Sequence, residues 1–104
     1  MAISGPEKRW VHVNEVLCRM LGFTRDEMLR TTWDELTPAE DLEVELEQFD
    51  RMLAGEIDGY SLEKRFLRKG GEAAETRLFV SCIRRDDRSV RHVITHIEDI
   101  TEQR

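Results

Sequence analysis

The hydrophobic pattern of this chain changes its period between Gly55 and Gly59. Upstream of that point, apolar residues recur at intervals of three and four, which is the spacing of one helix face. The residues concerned are Leu42, Leu46, Phe49 and Leu53. Downstream the spacing is two, which predicts a strand with Tyr60, Leu62, Lys64 and Phe66 on one face. An amphipathic helix followed at once by strands predicts a domain that combines both elements.

Turn and capping signals divide the N-terminal half into a hairpin and short helices. Residues 5–8 (GPEK) are a turn signal between two strand-forming runs within residues 1–14. Asn14 is a good N-cap for a first helix, which Gly22 ends. Residues 24–27 (TRDE) form a capping box for a second helix over residues 25–29. Residues 37–40 (TPAE) predict another, with Pro38 at the first position of a long helix over residues 38–54.

The C-terminal half reads as three strands. Residues 69–72 (KGGE) are a hairpin turn, and strand-forming residues follow through residues 76–83. Residues 85–89 (RDDRS) make a second turn, in which Asp86 or Asp87 is expected to take any left-handed position, before a last strand over residues 90–98. The order predicts a single α+β domain over residues 1–104, with five antiparallel strands and short helices packed on one face.

Charge and cysteine use restrict the partners and the compartment. The formal net charge is −6 and no basic stripe is visible, which argues against nucleic acid and against contact with an anionic membrane. No apolar run approaches the roughly 18 residues of a transmembrane helix. Cys18 and Cys82 lie in apolar surroundings, so free thiols are expected, as in a reducing, cytoplasmic compartment.

No catalytic or metal-binding motif appears in the sequence. A phosphate loop and a nucleophilic Gly-x-Ser-x-Gly turn are both missing. His92 and His96 have a spacing that suits a metal only on a helix. On a strand they stand roughly 13 Å apart, too far to chelate one ion. The domain is therefore predicted to be non-catalytic and free of metal.

Five segments in order resemble the PAS domain of bacterial sensory proteins. They are residues 10–14 (WVHVN), 17–29 (LCRMLGFTRDEML), 33–41 (WDELTPAED), 60–69 (YSLEKRFLRK) and 99–102 (DITE). The resemblance covers essentially the whole chain. It implies a five-stranded PAS sheet with helices on one face.

The chain departs from the family pattern at three points. Gly70 and Gly71 stand where the family usually has Asp-Gly, and Thr37 stands where the family has histidine before proline. Glu75 or Thr76 replaces an aromatic residue early in the following strand. A dimer or surface contact that depends on that aromatic side chain is therefore not expected.

The resemblance implies a sensory and interaction module that passes a signal to a C-terminal output domain. In bacterial two-component and cyclic-dinucleotide signalling, that output is often a histidine kinase or a diguanylate cyclase. The signal is expected to leave through Asp99, Ile100 and Thr101, with Asp99 or Thr101 capping a linking helix over residues 99–104. A homodimer through PAS–PAS contacts is also expected. The alternative is a ligand-free scaffold for protein–protein dimerisation.

In the family, ligands lie between the inner face of the sheet and the helices. By alternation, the candidate pocket residues are Trp10, His12, Leu46, Phe49, Leu62, Phe66, Leu78, Val80, Ile94 and His96. The alternative is that the apolar ones simply fill a core. Haem is not expected, because the long helix holds neither histidine nor cysteine, and the flavin-photoadduct motif is missing. A small organic ligand stays open.

Overall fold

The computed structural model describes residues 1–101. The strands are β1 (Ala2–Ser4), β2 (Trp10–Val13), β3 (Gly59–Leu67), β4 (Ala73–Arg84) and β5 (Val90–Asp99). The helices α1 (Glu15–Leu21), α2 (Arg25–Leu29) and α3 (Ala39–Leu53) lie between β2 and β3. The predicted α+β architecture is confirmed.

The strands form one antiparallel sheet in the order β2-β1-β5-β4-β3. The two N-terminal strands join the sheet beside β5, so that Ala2 pairs with Thr95. This arrangement places the last strand in the middle of the sheet, between β1 and β4. The last strand therefore contacts both halves of the chain.

Two of the predicted helix starts have the expected caps. The side chain of Asn14 accepts a hydrogen bond from the Leu17 amide at 3.0 Å. Thr24 and Glu27 form a reciprocal capping box, in which each side chain accepts from the other residue's backbone amide. Gly22 ends α1 in the left-handed conformation, with φ of 79°, as its position after the last apolar residue indicates.

The predicted capping box at residues 37–40 is wrong. Pro38 is the N-cap of α3, and no side chain caps the helix. The Thr37 hydroxyl instead donates to the Trp33 carbonyl at 2.7 Å, and Glu40 pairs with Arg65 on β3. The Trp33 carbonyl, four residues back, and the distant Arg65 have taken both side chains that the predicted cap would use.

The predicted left-handed aspartate in the last turn is also wrong, because Arg88 holds that conformation, with φ of 75°. Asp87 has another role. Its carboxylate accepts from the amide and the hydroxyl of Ser89, at 3.0 and 2.6 Å. This local hydrogen bonding satisfies the aspartate and shifts the strained position one residue along.

The helices pack on one face of the sheet and enclose the core. Phe49 from α3 and Phe66 from β3 are almost completely buried, and the Trp33 ring meets Phe49 edge-on at 5.1 Å. Each such side chain contributes roughly 1.5–3 kcal/mol by leaving water. Cys18 is buried and Cys82 partly buried, both as free thiols. In the described part of the chain, no helix has the length and apolar character to cross a membrane.

Candidate functional site

The interior between helices and sheet collects most of the predicted pocket residues. Trp10, Phe49, Phe66, Leu78 and Val80 are buried there. Leu46 and Leu62 pack against them and are partly buried. Seven of the ten candidates therefore line one interior. Their binding of a ligand stays a prediction.

Two predicted pocket residues of β5 face the other way. Ala2 is buried and pairs with Thr95, so Thr95 points inward and its neighbours Ile94 and His96 point outward. His96 lies opposite Phe79, which is itself exposed. The stretch around them has apolar residues on both faces, so alternation alone did not choose between the two faces.

His12 is also on the outer face, for a different reason. Ile3 pairs with His12, but the next residue, Ser4, pairs with Trp10, so β2 carries an extra residue at this point. Trp10 and Val13 are both buried, while His12 between them is exposed. A strand irregularity breaks the alternation that placed His12 beside Trp10.

A buried ion pair lies at the centre of the interior, and the sequence prediction missed it. Lys64 Nζ on β3 donates to Glu45 Oε1 on α3 at 2.6 Å, and both side chains are less than 5% exposed. Lys64 Nζ also donates to the Thr37 hydroxyl at 2.6 Å. The Tyr60 hydroxyl donates to the second oxygen of Glu45 at 2.7 Å. Four residues from three parts of the chain thus form one buried polar cluster, called here the Lys64 cluster.

Aromatic rings surround the lysine end of this cluster. Lys64 Nζ lies 4.0 Å from the centre of the Phe66 ring and 5.1 Å from that of Trp33, which are cation–π distances. Burial lowers the pKa of Lys64, and the Glu45 carboxylate opposes this shift. Burial, followed by the charge of Glu45, raises the pKa of Tyr60. The cluster is thus electrostatically sensitive to any change in its surroundings.

The signal for this cluster was present in the alternation of β3. Lys64 falls at an inward position between Leu62 and Phe66, and a buried ammonium requires a partner. Glu45 lies just before Leu46 in the long helix, close to the apolar stripe. What the sequence did not show is that these two residues, 19 positions apart, meet.

Beside the cluster lies a very small cavity. Its volume, counted as the space open to the centre of a water molecule, is about 10 Å³, and its walls include Trp10, Glu45, Tyr60 and Thr95. That is about enough for one water molecule. The Trp10 indole nitrogen is buried and has no hydrogen-bond acceptor among the described residues. The cavity is therefore small but carries an unused donor in its wall.

Flavin and haem do not fit this interior. Drug-sized ligands occupy pockets of about 300–1,000 Å³, against the 10 Å³ found here. The rings of Trp10, Trp33 and Phe66, together with Lys64, fill the space between helices and sheet. Only a molecule of about the size of water could enter without moving these side chains.

Residues 1–101 bring no three histidine, cysteine, aspartate or glutamate side chains together in a way that could hold a metal ion. His92 and His96 are on the same strand, β5, as predicted. His92 pairs with Ile83 and His96 with Phe79, so each stands beside an apolar neighbour.

The predicted signal exit, residues 99–101, is hydrogen-bonded to β4. The Ile100 side chain is buried, and its amide donates to the Glu75 carbonyl at 2.9 Å. The Thr101 hydroxyl accepts from the Glu75 amide at 3.1 Å. Asp99 accepts from the Thr101 amide at 2.9 Å, and hydrogen bonding by Thr101 lowers the pKa of Asp99. The predicted linking helix falls largely on residues 102–104, outside the described residues.

Thr76 lies between the predicted exit and the Lys64 cluster in the sheet. It is fully buried, and its hydroxyl donates to the Lys64 carbonyl at 2.8 Å. Thr76 pairs with Lys64 across β3 and β4, and with Asp99 across β4 and β5. The buried lysine and the exit aspartate are therefore two strands apart, with one residue between them.

Sequence comparisons find a family and a relative that match nearly the whole chain. A sequence family described as the PAS domain matches residues 1–102. The probable diguanylate cyclase DgcE of Escherichia coli (strain K12) is 38% identical over 102 residues, which is 98% of this chain. The chain spans only 9% of the length of that relative.

Solved structures show the same fold at low sequence identity. The PAS-B domain of Drosophila melanogaster Cycle with bound ethylene glycol superposes with a TM-score of 0.85, at 15% identity, over 94% of this chain and 96% of that one. The N-terminal domain of a diguanylate cyclase with PAS/PAC sensor from Marinobacter aquaeolei has a TM-score of 0.81, at 16% identity, over 98% and 94%. The chain therefore belongs to the PAS domain family, a family of sensory and not of catalytic folds.

Proposed function

We propose that this domain is a sensory input module that reports the state of the Lys64 cluster to a C-terminal output domain through Asp99, Ile100 and Thr101. The observation that carries the proposal is the short connection through Thr76. Its hydroxyl binds the Lys64 carbonyl, and its strand partner is Asp99. A shift of β3 at Lys64 thus reaches the exit through one buried side chain.

The energetics of the Lys64 cluster support a role beyond stability. Burying two charges is costly, and a well-packed apolar pair of similar volume is often as stable or more stable. Lys64 and Glu45 are both buried, and Thr37 and Tyr60 add one further hydrogen bond to each of them. Such a pair has two arrangements, closed or separated, and a ligand that favours one of them shifts the balance.

The ligand class we propose is a small polar organic molecule. The cavity beside Glu45 and Tyr60 is small, and the Trp10 indole N–H in its wall offers a donor to an incoming oxygen. The Cycle domain that shares this fold was solved with bound ethylene glycol, which supports a ligand of a few heavy atoms that enters when Lys64 and Glu45 separate. No resident cofactor is part of the proposal.

The output domain we propose is a diguanylate cyclase. The support is the similarity to DgcE and to the sensor domain of the Marinobacter cyclase. A histidine kinase remains the alternative from the resemblance alone. The free thiols suit a reducing compartment, so the proposal includes a cytoplasmic location and a covalently linked output.

A graft into DgcE tests the proposal. This chain replaces the matching 102 residues of DgcE, and diguanylate cyclase activity is measured for the graft and for a Lys64→Met/Glu45→Leu graft. The double substitution removes both charges together, so the domain keeps its fold. We expect an active graft whose activity changes several-fold with the double substitution. Val44→Ala, on the exposed side of α3, is the control. A folded double variant with the activity of the unmodified graft would contradict the proposal.

A second candidate function, a dimerisation scaffold, is favoured by the outer face of the sheet. Phe79 and Ile83 are each 48% exposed on that face, although both are large and apolar. Exposed apolar groups of this kind often mark contact surfaces. Sedimentation of the purified chain tests this candidate, since a scaffold forms dimers and an isolated sensor does not need to.

A further inference from the structure

All three histidines of the chain lie on the outer face of the sheet. Directly paired residues share a face. Ile3 pairs with His12 and with Ile94, which joins β2, β1 and β5 on that face. The two other histidine pairs, His96 with Phe79 and His92 with Ile83, continue the face onto β4. We call these seven residues the histidine face.

The histidine face carries no fixed charge at its centre. Its strand positions hold isoleucine, phenylalanine and histidine, and Ser81 opposite Ile94. The charged side chains that border it are that of Arg91, exposed beside His92 where β5 carries an extra residue, and those of Arg77 and Glu98 beyond His96. Arg77 is paired with Glu98 at 3.5 Å and with Glu63 at 3.0 Å. An apolar centre with a charged rim is the usual anatomy of a protein interface.

A second copy of this chain is the partner that fits the histidine face. The chain has a net charge of −6 with neutral histidines, so two copies repel each other over most of their surfaces. An uncharged face meets its own copy without that repulsion. β4 and β5 are about ten residues long, β1 and β2 only three and four, and strands spaced about 4.8 Å apart then give a face of roughly 400 Å². This is about half of the roughly 800 Å² that each partner buries in a standard interface, the size of a weak, reversible contact.

We propose that the histidine face pairs two copies while its histidines are neutral, and that proton uptake by His12, His92 and His96 separates them. This inference rests on the dimerisation candidate above and adds its regulation. Histidine is the side chain that gains its charge between about pH 8 and pH 5. In the paired state each new charge is buried against apolar groups and faces the same histidines of the second copy.

The surroundings of the histidines offer little to offset these charges. The strand partners of His12 and His92 are Ile3 and Ile83, which are apolar. Arg91, exposed beside His92, carries a positive charge and so opposes the protonation of that histidine. His96 has Phe79 opposite it, and Glu98 two residues away is already engaged with Arg77. Pairing therefore favours the neutral imidazole at all three positions.

Analytical ultracentrifugation of the full chain, at about pH 7.5 and about pH 5.5 and constant ionic strength, tests the inference. We expect dimers at the higher pH and an association constant at least roughly tenfold lower at the lower pH. Protonating the histidines also reduces the net negative charge, which by itself would strengthen association. A loss of dimer at low pH therefore reports the histidine face and not the overall charge.

Three variants locate the effect. A His12→Gln/His92→Gln/His96→Gln variant should dimerise equally at both pH values. Phe79→Lys should be monomeric at both, and Val44→Lys, a matched change on the exposed side of α3, should behave as the unmodified chain. Monomers at both pH values, or dimers that Phe79→Lys leaves intact, would overturn the pairing. Dimers of equal affinity at both pH values would overturn the proton control. None of these outcomes bears on the cyclase graft, which tests the sensory proposal separately.

Discussion

Lys64 Nζ and Glu45 Oε1 lie 2.6 Å apart in the middle of a domain with an almost fully packed interior. One residue belongs to the third strand and the other to the long helix. The ion pair therefore joins the sheet to the helix that covers it. Through Thr76, the same lysine is one residue away from Asp99, at the end of the last strand.

Removing only the lysine should be costly. Lys64→Met leaves the Glu45 carboxylate buried without its cation, and we expect the free energy of unfolding to fall by about 3–5 kcal/mol. Lys64→Met/Glu45→Leu should recover most of that loss. Urea unfolding measures the free energy of unfolding of the single and the double variant. Lys69→Met removes an exposed ion pair with Glu27 and should cost less than about 1 kcal/mol. Equal losses in the single and double variants would argue against a paired buried charge.

Arg84 should hold the end of the long helix against β4. Its guanidinium donates to the Met52 and Ile57 carbonyls, each at 3.0 Å, and its side chain is only 9% exposed. Arg84→Met leaves these carbonyls without a donor, and we expect a loss of about 2 kcal/mol in the free energy of unfolding. The neighbouring Arg85→Met is the control. If both variants unfold at the same urea concentration, Arg84 does not have this role.

Acid should weaken the contact between α2 and the hairpin of β3 and β4. Hydrogen bonds from Lys69 and Thr24 lower the pKa of Glu27 from 4.5 to about 2. A carboxyl with a lowered pKa in the folded state stabilises the fold above its unfolded value, and this is lost as pH falls from 4.5 towards 2. Glu27→Gln should therefore be less stable than the unmodified chain at neutral pH, and the difference should shrink through that window. A difference that is constant from pH 7 to pH 2 would show that the charge of Glu27 is not responsible.

The threonine of the exit should act through its hydroxyl. Thr101→Val removes the acceptor for the Glu75 amide, while Thr101→Ser keeps it. We expect the valine variant to lose about 1 kcal/mol of local stability at the exit. Faster hydrogen exchange at the Glu75 amide would show the loss, and the serine variant should exchange like the unmodified chain. Equal exchange in the valine and unmodified proteins would contradict the assigned contact.

The features that sequence reasoning recovered are those that local chemistry decides. The change of period after Gly55, the caps at Asn14 and Thr24, and the end of the first helix at Gly22 all depend on residues close in sequence. These features sufficed for the order of the elements and for the fold class.

The errors arose where residues distant in sequence compete. Thr37 was predicted to cap a helix, but it binds Trp33 and Lys64 instead. His12 was displaced by an irregularity in its strand, and β5 has apolar residues on both faces, so Ile94 and His96 were placed on the wrong one. The Lys64 cluster was missed because a pattern along one strand does not reveal which helix residue it meets.

Hydrogen exchange at the Ile100 amide tests whether the Lys64 cluster and the proposed exit are coupled. This amide donates to the Glu75 carbonyl, and Thr76 connects the same strand to the Lys64 cluster. In Lys64→Met/Glu45→Leu, measured where the domain remains folded, we expect Ile100 to exchange at least roughly tenfold faster or slower than in the unmodified chain. The Arg85 amide, in the distant turn between β4 and β5, should not change. Unchanged exchange at Ile100 would mean that the cluster and the exit are not coupled.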